Sequence, residues 1–281
     1  MEYEYRISLK TPAIYYRYSM NRSSKFHSSI SLGTLNRAAT MQDGQLMNLK
    51  RHTLIDVSDA GRECILAELA GSGTTSAILR EKFGRILLPE QAGVRVPGIV
   101  RREEVSPRSG CVPVGFCEPI SRGEGRLRVA AFARMEDVVR VISPYELASL
   151  PISRRTASTS ALIAAKPRAK ALDLVLGVWG SAAMELYTGL PCTHEGSDLD
   201  LLLAAAPLKK LSRFMDEIKF LEERFALRID VELELPSGYG VHLQELLGQG
   251  CTVIGKGING VALFSREQML AELPYDSSAA S

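Results

Sequence analysis

The stretch Ser197-Asp-Leu-Asp-Leu-Leu-Leu constrains this chain more than any other. Its leucines ask for a buried strand, yet Asp198 and Asp200 alternate with Leu199 and so share one face of it, about 7 Å apart at Cα. Two carboxylates that close repel, which raises one pKa or weakens the strand end unless a cation relieves the repulsion. Mg2+ is suited to relieve it, being a hard ion that takes oxygen ligands and often combines one or two carboxylates with substrate phosphates; Mn2+ is the other candidate. The plainer reading is a solvated strand face carrying two harmless acids.

The flanking residues weigh between these readings. Upstream, Leu172 to Trp179 is an apolar run that reads as a strand, ended by the turn Gly180-Ser181. AAMELYTGL then suits a helix closed by Gly189-Leu190-Pro191. The N–H groups at the start of that helix, with the Ser181 hydroxyl, would form a phosphate cradle. Alone, a Gly-Ser pair before a helix is an ordinary turn. Downstream, PLKKLSRFMDEIKFLEERF puts Leu208, Leu211, Met215, Ile218, Leu221 and Phe225 at helical spacing. LRIDVELEL then alternates, with Ile229, Val231, Leu233 and Leu235 on one face and Asp230, Glu232 and Glu234 on the other. That acidic face is expected to be exposed, but Asp230 would complete a carboxylate triad if its strand neighbours Asp198 and Asp200.

The rest of the 281 residues sets limits. A net charge of +2 argues against sequence-blind coating of nucleic acid. No apolar run approaches the roughly 20 residues of a membrane span, and no secretory core is seen. Five scattered cysteines and four separated histidines support neither a disulfide framework nor a zinc site. A reducing compartment, hence a cytoplasmic protein, is the expectation.

Residues 1–46 are rich in Ser, Tyr and Arg without periodicity, and are expected to be a disordered extension or the product of an upstream start codon. From 47 to 150, a helix over Asp59–Leu69 with Ser58 as N-cap precedes short β-rich runs in AGVRVPGIVRR, CVPVGFCEP and RLRVAAFARM. GSGTTSA, from Gly71, reads as a helix-to-strand connection. Residues 151–170 read as a linker enclosing at most a short helix, 171–274 as a second domain and 275–281 as a tail. The predicted class is α+β: a small strand-rich N-terminal domain, then a mixed-sheet domain with helices. GKGING, Gly255 to Gly260, fits Gly-x-Gly-x-x-Gly, but strand-like VALFS follows instead of a helix, so a β-hairpin turn is expected.

Gly180-Ser181, Asp198-x-Asp200 on a strand and a later strand acid at Asp230 resemble the signature of the polymerase-β-like nucleotidyltransferase superfamily. The fuller run VWGSAAMELYTGLPCTHEGSDLDLLL resembles the phosphoribosyl-dephospho-CoA transferases, the holo-acyl-carrier-protein synthases of malonate decarboxylase. RHTLIDVSDAGRECIL, VPGIVRRE and RIDVELELPSGYGVHLQELL extend the likeness over about Leu49 to Pro274, with 154–170 unmatched. The resemblance implies transfer of a 5′-phosphoribosyl-dephospho-CoA unit from triphosphoribosyl-dephospho-CoA to a serine of an acyl carrier protein, with release of pyrophosphate. In that scheme Asp198 and Asp200 hold Mg2+, while Asp230 binds a second metal or accepts the serine proton. Gly180 and Ser181 cradle the departing phosphates, and Arg101, Arg102 and Lys256 are the candidates for binding the anionic donor. His194, in the loop entering the strand, is assigned either to phosphate or ribose or to a loop hydrogen bond. Neither nucleic acid nor membrane is an expected partner. Two rivals stand beside this: a nucleotidyltransferase acting on another hydroxyl, of a small molecule or another protein, and a degenerate nucleotide-binding module, against which the retained Gly-Ser pair and aspartates count.

Overall fold

A computed structural model describes residues 49–71, 76–102, 108–119 and 126–275, all within one compact unit spanning 40–281. The expected extension 1–46 and, apart from Tyr275, the expected tail lie outside the described residues. The architecture is α+β.

The first half is built on strand β1 (Leu54–Val57), buried on both faces. Ser58 caps helix α1 (Asp59–Ala70) by accepting from the Gly61 N–H at 3.0 Å, as its position in the sequence predicts. Gly71 closes the helix at φ 62°. The chain then enters a second helix, α2 (Ser76–Leu87), not the strand expected after GSGTTSA. Leu79, Phe83, Ile86 and Leu87 recur at helical spacing, and it is the Ile86–Leu87 end that is buried. After the short α3 (Pro89–Ala92), strands β2 (Gly98–Val100), β3 (Cys111–Cys117), β4 (Arg128–Arg134) and β5 (Val138–Ile142) join β1 in an antiparallel sheet ordered β4-β3-β2-β1-β5. Arg62 of α1 is wholly buried and donates to the carbonyls of Val57, Leu87 and Val96 at 2.9, 3.1 and 2.8 Å, which ties α1 to the end of β1 and to α2.

Helix α4 (Pro144–Ser149) starts from a Ser143/Glu146 capping box. The linker expected over 151–170 is instead mostly helix α5 (Ala157–Ala171), capped by Thr156. Ala161, Leu162 and Ala165 in it are fully buried. An alanine-rich composition that resembles a spacer is here the small-residue face of a closely packed helix. Strand β6 (Leu176–Trp179) occupies only the second half of the apolar run from Leu172, because α5 and its turn use the first. It leads into α6 (Gly180–Thr188), closed by Gly189 at φ 70°. Then come β7 (Leu199–Ala204), α7 (Leu208–Phe225), β8 (Ile229–Glu234), β9 (Gly240–His242), α8 (Leu243–Leu247), the hairpin β10 (Thr252–Gly257) and β11 (Gly260–Ser265), and α9 (Arg266–Ala271). GKGING is the turn of that hairpin, as its sequence context predicts.

The second sheet runs β11-β10-β9-β8-β7-β6. Its β7–β8 pair is parallel, because the long α7 carries the chain back to the same end; the other neighbours are antiparallel. Helix α7 buries Leu211, Phe214, Met215, Ile218 and Leu221 and packs on α5, which in turn rests on β7. On β6, Gly177 makes room for α4: a Cβ there would lie 3.0 Å from Pro144 Cβ and 3.1 Å from the Tyr145 ring. The buried residues of both halves form one core. Among the described residues, no helix is long and apolar enough to cross a membrane.

Candidate active site

The parallel pairing sets Asp200 of β7 directly opposite Asp230 of β8, with Trp179 of β6 on the other side of Asp200. Asp198 stands one residue before β7 and is exposed, its carbonyl accepting from Ser158 Oγ at 3.2 Å. Gly180 opens α6 at φ 67°, and a Cβ at that position would sit 2.0 Å from Asp200 Oδ2. Only glycine lets the helix start come this close to the carboxylate. Ser181 follows as the next residue of α6. The fold thus gathers Gly180, Ser181, Asp198, Asp200 and Asp230 where β6 ends and β7 and β8 begin.

Burial, reinforced by Asp230 and Asp198, pushes the Asp200 carboxyl up to about 7 against the opposing pull of Arg228. No described residue donates a hydrogen bond to it. Two side chains attend Asp230: Arg228 Nη2 lies 2.7 Å from its Oδ1, and His242 Nε2 makes a longer approach of 3.5 Å. His242 Nδ1 is buried without a hydrogen-bond partner among the described residues. The sequence reading missed both residues. Arg228 could have been noticed as the cation opening the acidic alternation, whereas His242 reaches Asp230 only through β8–β9 pairing.

Among the described residues, no three His, Cys, Asp or Glu side chains close round a point as a preformed metal cage would. Mg2+ does not require one, since it is commonly held by one or two carboxylates with substrate phosphates completing its shell. Hard oxygen donors, with an Asp200 carboxyl raised by burial and by its acidic neighbours and given no hydrogen bond by any described residue, fit such an ion.

Further along β8 the acidic face is not exposed, contrary to the expectation. The segment before β1 covers it. Glu232, 7% exposed, is bonded by Arg51 Nη1 at 2.8 Å and by His52 Nε2 at 3.1 Å. Glu234 pairs with Lys50 and accepts from the Tyr145 hydroxyl at 2.6 Å. Burial alone would raise Glu232, but the His52 hydrogen bond and the Arg51 charge hold it at about 2. Burial also keeps His52 below the ordinary imidazole value, so the neutral ring donates to Glu232 while Arg51 supplies the balancing charge. The same ring, carried by a backbone at φ 69°, stacks on Trp179 with centroids 4.0 Å apart. Because Trp179 flanks Asp200, the N-terminal half reaches the edge of the carboxylate site through His52.

The loop between α6 and β7 is fastened from below. Glu185 of α6 takes Arg155 Nε at 3.0 Å and the Thr193 N–H at 2.8 Å. Burial would raise this carboxyl; the Arg155 and Thr193 bonds outweigh that and lower it. His194 Nδ1 accepts from Gly196 N at 3.1 Å, the loop hydrogen bond of the two assignments made for it.

The three basic candidates are placed differently. Lys256 lies on β10 level with Gly240 and Glu234, four residues along β8 from Asp230 and two strands across, about 16 Å away by strand geometry. The fold does not bring it to the carboxylates, and its carbonyl accepts from Arg51 Nη1 at 2.8 Å. Arg101 and Arg102 follow β2, whose last carbonyl, of Val100, accepts from His52 N at 2.9 Å. Their main chain thus follows directly on the residue bonded to His52, on the first-domain side.

Models of the phosphoribosyl-dephospho-CoA transferase MdcG match the chain in two parts, the N-terminal domain over residues 50–144 and the C-terminal domain over 146–267. This chain belongs to that family. It is a transferase, and the two models meet at α4, so α4 and α5 go with the second part. Similar proteins include the phosphoribosyl-dephospho-CoA transferase of Pseudomonas syringae pv. tomato, 34% identical over 63% of this chain and 81% of the relative. That of Pseudomonas putida is 35% identical over 59% and 78%, and that of Xanthomonas campestris pv. campestris 29% over 63% and 82%. No solved structure matches.

Proposed function

We propose that this transferase moves the 5′-phosphoribosyl-dephospho-CoA unit from 2′-(5″-triphosphoribosyl)-3′-dephospho-CoA to a serine hydroxyl of the malonate decarboxylase acyl carrier protein. The observation that carries this is the Asp200–Asp230 pair set against the Gly180 helix start, in a chain of this family. The serine Oγ would form the new bond to the phosphorus nearest the ribose, and the bond from that phosphorus to pyrophosphate would break. The serine proton needs an acceptor.

Asp198 and Asp200 would hold Mg2+, with Asp230 at hand for a second ion or for the serine proton. When bound, the ion would neutralise charge building on the phosphates. Gly180 and Ser181 offer the leaving pyrophosphate the N–H groups at the start of α6. Trp179 and His52 wall the site on the N-terminal side, and Arg101 and Arg102 would attract the anionic donor. Five cysteines without a disulfide support a reducing, cytoplasmic setting.

Intact-mass spectrometry tests the reading. Apo carrier incubated with the protein, Mg2+ and the triphosphate donor should gain the mass of one phosphoribosyl-dephospho-CoA group, and an Asp200→Ala control should not. No gain from folded protein would refute the acceptor assignment and turn attention to other hydroxyl acceptors.

A further inference from the structure

Arg228 immediately precedes β8, and its carbonyl accepts from Leu199 N at 3.0 Å. Its main chain is thereby fixed between the starts of the two strands that carry the carboxylates. Its guanidinium rests on Asp230 at 2.7 Å, but the side chain is 67% exposed, against 15% for Arg51 on Glu232. An ion pair this open contributes little to stability and separates readily. A fork of guanidinium N–H groups is also the best side-chain match to a phosphate. Asp198 and Asp200 have no ion pair of their own among the described residues, so the cation at this site is concentrated on Asp230.

We propose that Arg228 is a donor-phosphate ligand that waits on Asp230 as a stand-in cation until a divalent ion arrives. This rests on the metal-dependent transferase reading given above. A doubly charged ion at the carboxylates displaces the guanidinium by competing for Asp230 and by repelling it. The freed side chain then lies beside the ion, where phosphate oxygens gather. One arginine thus serves both states: it reduces carboxylate repulsion in the empty site and binds phosphate in the loaded one.

The test uses the full chain as wild type, Arg228→Gln, Arg228→Lys and Asp200→Asn, with thermal melts to show that each is folded. Free Mn2+ is followed by electron paramagnetic resonance, and pyrophosphate binding is then measured at saturating Mn2+. Arg228→Gln should bind Mn2+ about fivefold tighter than wild type and pyrophosphate about tenfold weaker, opposite shifts that general damage would not give. Arg228→Lys should fall between, since it keeps the charge and loses the fork. Equal Mn2+ affinity in wild type and Arg228→Gln, or unchanged pyrophosphate affinity, would overturn the assignment; loss of Mn2+ in Asp200→Asn would leave the metal reading standing. A wild type that holds no Mn2+ even with pyrophosphate present would overturn both.

Discussion

Asp230 and Glu232 lie two residues apart on the same face of one strand, yet they live in opposite electrostatic worlds. Asp230 faces Asp200, an exposed arginine and a distant histidine, and Asp200 is left at about 7. Glu232 is sealed beneath Arg51 and His52 and held at about 2. The residue type and the alternation are alike; the difference is whether another part of the chain brings matching charge and donors. An acid that the protein has satisfied itself is structural, whereas one left raised and without a hydrogen-bond donor among the described residues, as Asp200 is, is poised for a ligand from outside.

The largest expected effect tests the unsatisfied end. Asp200→Asn should cut carrier modification by about a thousandfold or more, read by intact mass, because it removes charge where the transition state needs it. Next comes the satisfied end. Glu232→Gln should cost about 3 kcal/mol at pH 7 in denaturant titrations. Since folding lowers the Glu232 pKa, this stability is present above its ordinary value of 4.5 and is lost as pH falls toward about 2. The difference between variant and wild type should therefore narrow in acid. A loss that stayed constant with pH would mean that shape, not charge, joins the two halves here.

Asp200 should behave with the opposite sign. Its folded pKa is raised, so its favourable contribution is present below about 4 and is lost as pH rises through about 7. Asp200→Asn should match wild-type stability near pH 4 and exceed it by up to about 2 kcal/mol at pH 8, a figure reduced for partial exposure. Equal melting temperatures at pH 8 would show that the carboxylates are not in conflict. The smallest effect belongs to His194→Ala, which removes one exposed loop hydrogen bond and should change stability by under about 1 kcal/mol, with turnover retained. A large loss of turnover would move His194 into the site.

Much of the site is legible because its pieces are local. Asp198 and Asp200 stand two residues apart in the chain, Asp198 just before β7 and Asp200 within it, and Gly180 marks a turn in any strand-to-helix crossing. The helical stripe from Leu211 to Leu221 likewise declares α7 before any partner is known. The misplaced elements are those whose local signals are weak. Helix α5 hides in Ala, Ser and Thr, and α2 follows a Gly- and Thr-rich stretch that looks like a loop. Lys256 was singled out for its positive charge alone, and only strand order shows that it lies level with the end of β8, about 16 Å from Asp230.

By itself, the sequence determined the paired acids, the Gly180-Ser181 turn, the α+β class and the family likeness, since each depends on residues close in the chain or on their repeat. Only the tertiary structure decided that β7 and β8 are parallel neighbours in a register that sets Asp200 against Asp230. It alone decided, too, that Arg228 and His242 attend Asp230, and that Lys50 and Arg51 cross from the other half to neutralise Glu234 and Glu232, with His52 adding a hydrogen bond to Glu232. Charge and burial act through space at a few ångströms, whatever the separation along the chain, so the state of each carboxylate is set by neighbours that no local pattern names.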